Sequence, residues 1–381
     1  MNIVHPEYFT NTYWFNRVNH TTVTAPAWKR LVDMHPCDYQ ATMLKGCLPH
    51  NTSDASRVYS LERRRRIRAI YYAMILEFDS MVGAYIDAIE QIDGLSDNTV
   101  FIITSDHGDM QMEHQQFYKQ VAYDASSRVP LIIHLPPSTQ SNTSAEDKSS
   151  PTLSAVATNK LVTQPTSHID LFPTIMDLAR VPNEMRPDAL QGESLLPFLV
   201  PITDVVESRR RRHLDHNAGT APAVVVPRKR PFVVNQFHGC DIAMSWFSII
   251  DERHYKYTVF GTGEEHRPQL FDLLADPGED ADLAGNASFE STMKRLDSLL
   301  RSVVDYKKVA NEVARYTHTS LGTWVNSTSN WRNVVQDLRW KPSFDVDANA
   351  SIAAIEAYLA APPQVYKCRS EPVWPPPPKP V

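Results

Sequence analysis

The stretch from Val100 to Gly108, Val-Phe-Ile-Ile-Thr-Ser-Asp-His-Gly, constrains the fold of this chain more than any other. Its β-branched and aromatic residues run without polar alternation, which is the pattern of a strand covered on both faces in a largely parallel α/β sheet. The apolar run stops at Asp106 and His107, and Gly108 lets the backbone turn sharply there. Ligands of open α/β sheets bind beyond the carboxyl ends of the strands. A carboxylate beside an imidazole at that end is either part of a metal site or an ordinary turn closing a strand. These residues alone leave both readings open.

The segments around it fit an α/β body. Ile67, Ile70, Met74, Phe78, Met81 and Tyr85 recur at steps of three and four and predict a helix over 56–92, ended by Gly94. Val129-Pro-Leu-Ile-Ile-His-Leu135 predicts a second buried strand, its proline near the start where a missing donor is tolerated. Asp170 is the expected N-cap of a helix over 171–179 with Pro173 in its first turn. The first fifty residues lack periodicity and read as an irregular connection. Further on, Phe232–Phe237, Trp246–Ile250 and Tyr255–Phe260 predict a small antiparallel sheet, covered by a helix over Thr292–Val304. The expected division is residues 1–200 for the first body, with a surface insertion over about 138–160. An insertion or linker follows over 201–230, then a small second domain over 231–360 and a proline-rich, extended tail over 361–381.

The 381 residues suffice for one large domain or two ordinary ones, and 42% apolar with 22% charged residues is ordinary for a globular chain. A formal charge of −6 gives no general reason to bind nucleic acid or anionic membranes. The runs Arg63–Arg66 and Arg209–Arg212 are local exceptions, read first as a solvated helix face and a loop. No apolar run is long enough to cross a bilayer, and the first residues lack the basic start and apolar core of a secretory signal. Yet Asn-x-Ser/Thr sequons stand at Asn19, Asn51, Asn142, Asn286, Asn326 and Asn349, which points to the secretory pathway. Cys37, Cys47, Cys240 and Cys368 could form two disulfides or remain buried thiols.

Downstream of His107 come Glu113, His114 and Lys119, which gather charge before the next strand. A lysine there either neutralises a transferring oxyanion or sits on a polar loop. The full run Ser105-Asp-His-Gly-Asp-Met-Gln-Met-Glu-His-Gln-Gln-Phe-Tyr-Lys119, followed by Tyr123-Asp-Ala-Ser-Ser-Arg-Val-Pro-Leu131, resembles the sulfatase family. Met34–Tyr39, Ala69–Met74, Phe237–Cys240, Pro268–Leu273 and Leu338–Trp340 extend the resemblance in order along nearly the whole chain.

The resemblance implies an alkaline-phosphatase-like α/β fold: the C-terminal half of a central mixed sheet, then a small α+β domain. It implies a sulfuric ester hydrolase that removes sulfate from a glycan, such as a 2-O-sulfated uronic acid, or from an aryl sulfate, in a lysosomal or secreted setting. It assigns Asp106 and His107 to one calcium ion, as half of its ligands. Lys119 then contacts the sulfate, His5 protonates the leaving alcohol oxygen, and His238 contacts substrate; His114, read from its place after the motif alone, either hydrogen-bonds substrate or is an exposed loop histidine. The family's nucleophile is a formylglycine made from the cysteine of Cys-x-Pro/Ala-x-Arg, and none of the four cysteines here lies in that pattern. The expectation is therefore of a chain that begins after the first half of the catalytic domain and is inactive alone. The competing expectations are a non-catalytic remnant that binds sulfated glycan, and a phosphodiesterase of the same superfamily with zinc at Asp106 and His107.

Overall fold

The computed structural model describes residues 4–44, 59–136, 164–199, 231–239, 245–337 and 348–363. The expected insertions over 138–160 and 201–230, the proline-rich tail, Arg209–Arg212, and Cys47, Cys240 and Cys368 all lie outside the described residues.

The first segment winds over the body with a single helical turn at Thr12–Phe15 and a short helix, α1 (Pro36–Leu44). The long helix α2 (Leu61–Glu90) begins where Ser60 caps it by accepting a hydrogen bond from the Arg63 amide, and Gly94 follows it with φ of +71°. It is shorter at both ends than the expected 56–92, because the Ser60 cap sets its start. Two strands follow, β1 (Phe101–Thr104) and β2 (Leu131–His134), paired antiparallel with Phe101 opposite His134 and Thr104 opposite Leu131. Neither strand is buried as expected: β1 is half-covered throughout and Ile132 of β2 is 55% exposed. The reason is that these two strands pair only with each other among the described residues, so no layer closes over them.

Helix α3 (Leu171–Leu178) starts after Asp170, but the Asp170 side chain does not cap it. It turns back instead, accepting from the Ser167 amide at 2.9 Å and from the Glu193 amide at 2.8 Å, which closes a capping box on the preceding short turn. The carboxylate is buried, so satisfying two distant amides outweighs capping its own helix.

The second half holds a four-stranded antiparallel meander, β3 (Phe232–Phe237), β4 (Trp246–Asp251), β5 (Tyr255–Phe260) and β6 (Gln269–Asp272), hydrogen-bonded in that order. Strand alternation gives it two distinct faces. Phe247, Ile249, Tyr257, Val259 and Leu270 form a core with Leu296 and Leu300 of α4 (Glu290–Arg301) and with Tyr306. The opposite face carries Trp246, Ser248, Lys256, Thr258, Phe260, Gln269 and Phe271, all buried against the first half of the chain. Helices α5 (Tyr306–Ser327), α6 (Trp331–Asp337) and α7 (Ala348–Ala360) pack beside one another after α4.

Candidate active site

The site is built on the loop between β1 and β2. Gly108 begins it by donating from its amide to the Ser126 carbonyl at 2.8 Å. A Cβ at that position would lie 2.1 Å from the Ala125 carbonyl oxygen, so only glycine lets the two strands of backbone approach this closely. Six non-glycine residues then adopt positive φ within ten positions: Gln111, Met112, His114, Gln115, Tyr118 and Gln120. Such conformations persist only where the surroundings over-determine them, and they cluster at functional sites. Here Met110 donates to the Tyr118 carbonyl at 2.7 Å and Met112 to the Gln116 carbonyl at 2.8 Å. From outside, the Trp28 indole donates to Met112 O at 2.8 Å, and the Trp246 indole to Gln120 O at 3.1 Å.

At the entrance of the loop, His107 Nε2 lies 3.3 Å from Asp106 Oδ2. The other ring nitrogen, Nδ1, stands 2.9 Å from the Gly108 carbonyl and can only donate to it. That assignment leaves Nε2 with a lone pair facing a carboxylate, an arrangement satisfied by a proton or a cation between them. The pair therefore fits a metal as one oxygen and one nitrogen ligand. Among the described residues no cluster of three or more His, Cys, Asp or Glu could hold an ion, and calcium takes six to eight ligands. Asp106 and His107 are two donors, fewer than such a set needs.

At the exit, Lys119 Nζ meets His5 Nε2 at 3.0 Å, joining residues 114 positions apart. His5 Nδ1 lies 2.6 Å from the Pro6 carbonyl, so Nδ1 is the donor there and Nε2 accepts from the ammonium. The segment carrying His5 is pinned by Tyr8, whose hydroxyl donates to Asp109 Oδ1 at 2.5 Å. The Gln111 amide donates to the same oxygen at 2.8 Å. Asp109 is buried, its Oδ2 has no hydrogen-bond partner among the described residues, and burial raises its pKa against the pull of Tyr8 and Lys119.

The structure thus brings Asp106, His107, Lys119 and His5 to the two ends of one loop, and leaves two sequence candidates elsewhere. The His114 ring stacks on Tyr123 with centroids 3.8 Å apart, and its Nε2 meets the Gly278 carbonyl at 3.0 Å. Burial lowers its pKa to about 4. His238 packs its ring 5.1 Å from that of Phe247, and its buried Nε2 has no partner among the described residues. Neither imidazole touches Lys119 or His5 through any described contact. Tyr8 escaped sequence reasoning because it lies in no recognisable local pattern, and Asp109, although inside the motif, was passed over for the Asp106–His107 pair. Asp109, one residue past the glycine, was the better signal.

The back of the loop is sealed by the polar face of the meander. Lys256 Nζ, 1% exposed, lies 2.5 Å from Asp124 Oδ1 and 2.8 Å from Glu279 Oε1. Two carboxylates share one lysine out of water, and burial raises the Glu279 pKa to about 7. Beside this trio, Asp38 accepts from the Tyr123 hydroxyl at 2.7 Å and from Gln269 Nε2 at 3.1 Å, and burial raises its pKa to about 6.

A family model described as Sulfatase matches residues 16–181. Arylsulfatase K of Gallus gallus is 33% identical over 354 residues, spanning 93% of this chain and 57% of that protein. Residues 16–181 are a sulfatase-family domain. Arylsulfatase K of Homo sapiens is similar as well, at 31% over 353 residues, 92% of this chain and 57% of that protein. The chain therefore spans about half the length of the curated relatives it matches. Among solved structures, a phosphonate monoester hydrolase of Agrobacterium radiobacter superposes with a TM-score of 0.54 at 25% identity, covering 78% of this chain and 54% of that one. A 2-O GAG sulfatase superposes with a TM-score of 0.50 at 20% identity, covering 79% and 60%. These likenesses establish the alkaline-phosphatase-like α/β fold expected from the sequence.

Proposed function

We propose that this chain carries part of the active site of a sulfuric ester hydrolase acting on a sulfated glycan, with a 2-O-sulfated uronic acid as the sugar. The observation that carries the reading is the Lys119–His5 contact at 3.0 Å, held at the exit of a strained loop whose entrance presents Asp106 and His107. An anionic ester lying between Lys119 and His5 displaces their contact, and a proton taken up from solvent on His5 Nε2, beside the one already on Nδ1, lets each residue give the ester an N–H. Lys119 then balances charge on the sulfate oxygens, and His5 Nε2 hands its proton to the leaving alcohol oxygen. The Pro6 carbonyl holds the His5 ring in the orientation this transfer needs. Asp106 and His107 would hold part of a calcium site, where the ion supplies further positive charge to the sulfate.

None of the four cysteines lies in Cys-x-Pro/Ala-x-Arg, so these residues do not supply the family's nucleophile and no attacking step is assigned to them. By the same reading, residues 1–200 belong to the catalytic domain and 231–360 to a smaller domain that backs it. The sequons fit passage through the secretory pathway to a lysosomal or extracellular site.

Two measurements test the proposal. Calorimetric titration with a 2-O-sulfated uronic acid disaccharide in calcium should show binding, weakened about 10–100-fold by Lys119→Ala, the loss expected for a hydrogen bond to a charged group. Equal binding by the variant rejects the role of Lys119. The 381 residues alone should not turn over an aryl sulfate, and turnover above a Lys119→Ala control rejects the assignment of the nucleophile elsewhere. A second reading, hydrolysis of a phosphate or phosphonate ester, draws on the nitrogen ligand at His107 and the likeness to a phosphonate monoester hydrolase. Tighter binding of the matched phosphate ester, with zinc in place of calcium, would favour it.

A further inference from the structure

The arginine run at the start of α2 is not simply a solvated face. Arg64 turns inward, with its guanidinium 4.3 Å over the Trp28 ring and Nη1 donating to the Pro26 carbonyl at 2.8 Å. Arg68, one turn on, reaches Glu113 at 3.4 Å and the Tyr72 hydroxyl at 3.3 Å. Helical spacing then puts Arg63 and Arg66, three apart, together on one exposed flank, with Arg65 on the other. The Arg63 guanidinium rests 5.1 Å over the Tyr59 ring, which limits its freedom and lowers the cost of fixing it on a ligand. Four consecutive arginines follow Glu62, the acidic residue of the helix's own first turn, and the helix N-terminus adds to the positive potential.

This flank is continuous with the candidate site. Met112 and Phe117 form a buried cluster on which Trp28, Tyr59 and Tyr8 pack. Two of these rings, Trp28 and Tyr59, carry Arg64 and Arg63, while Tyr8 holds Asp109 beside the His5 segment. Phe117 itself lies two residues before Lys119.

We infer that Arg63 and Arg66, backed by Arg64 on Trp28, form a binding rail for a sulfated polysaccharide chain, engaging sulfate groups on sugars beyond the one held at Lys119. Guanidinium groups suit this partner because their planar N–H edges bind sulfate oxygens in pairs. The basic flank stands on its own geometry, and the choice of a sulfated glycan over another polyanion rests on the function proposed above.

The test is affinity for heparin, a highly sulfated polysaccharide, compared with hyaluronan, which carries carboxylates only, and with single-stranded DNA. The expected order is heparin tightest, with affinity that falls as salt rises. Arg63→Ser with Arg66→Ser should raise the heparin Kd at least tenfold, and Arg63→Lys with Arg66→Lys should recover part of the loss. The same two charges removed at Arg209 and Arg210, and Arg65→Ser on the opposite flank, should change it less than twofold. Thermal melts matching the unsubstituted protein establish that the variants fold. An equal loss from the Arg209/Arg210 variant, an unchanged Kd in the Arg63/Arg66 variant, or DNA binding as tight as heparin overturns the proposal. Lys119→Ala separates the two readings. It should weaken disaccharide binding about 10–100-fold while leaving most heparin affinity, whereas loss of heparin affinity there with none at Arg63 and Arg66 overturns the rail and leaves the Lys119 site standing.

Discussion

At the scale of single residues, the site depends on close approaches that admit no alternative side chain. Gly108 faces the Ala125 carbonyl where a methyl group has no room, so Gly108→Ala should destabilise the protein by about 1–3 kcal/mol in urea unfolding. A variant as stable as the parent would mean that the two backbones separate easily. Tyr8 plays a different part. Tyr8→Phe removes one of the two donors to Asp109 Oδ1 and should cost about 1–3 kcal/mol, while disaccharide affinity falls because the His5 segment is released. Stability lost with affinity intact would show that Tyr8 supports the fold alone. Asp106, His107 and Lys119 were legible in the sequence because one continuous motif carries them. Tyr8 and Asp109 were not, since their partnership spans 101 positions and follows from chain packing. His114 neighbours the motif in sequence, but packing sets its ring on Tyr123 and its Nε2 on the Gly278 carbonyl, which the sequence did not reveal.

Among the elements, the loop between β1 and β2 is the one under strain. Its positive-φ positions hold no glycine, so sequence reasoning had no signal for them, and tertiary hydrogen bonds impose the conformation instead. Gln120 is exposed, its φ is +78°, and its carbonyl rather than its side chain receives Trp246. Gln120→Gly should therefore stabilise the protein by about 1 kcal/mol, read as a higher urea midpoint. A lower midpoint would show that chain entropy outweighs strain there. The meander was the most legible element, because period-two alternation is local. Its fourth strand, Gln269–Asp272, was missed as a strand because only four residues follow Pro268. The burial of β1 and β2 was misjudged because an apolar run reports what a strand can tolerate, not which layer covers it.

Across the whole molecule, the two halves meet through buried titratable groups, and these set its response to pH. Glu279, raised from 4.5 to about 7, binds a proton that the unfolded chain has already released, so its contribution weakens as pH climbs through that window. Asp38, raised from 3.8 to about 6, acts the same way over a lower window. His35 and His114, each lowered by burial from 6.5 to about 4, do the opposite: the unfolded chain takes up their protons first, and stability falls as pH drops from 6.5 towards 4. The slopes oppose one another between about pH 4.5 and 6, so melting temperature should be nearly flat there. Glu279→Gln removes one falling slope, and its melting temperature should rise across that range. A flat variant profile would place the proton elsewhere. The described surface also leaves Ile132, Ile169, Phe172 and Ile175 about half exposed or more, so the isolated chain should self-associate in size-exclusion chromatography. Ile132→Lys with Phe172→Glu should reduce that association, and no change would place the contact on another face.

The lysine shared by Asp124 and Glu279 has one more consequence. Amine-acylating reagents reach a surface lysine within moments but meet Lys256 only when the meander lifts away from the loop between β1 and β2. The rate at which that one residue is labelled is therefore a clock for how often the two halves of the molecule part.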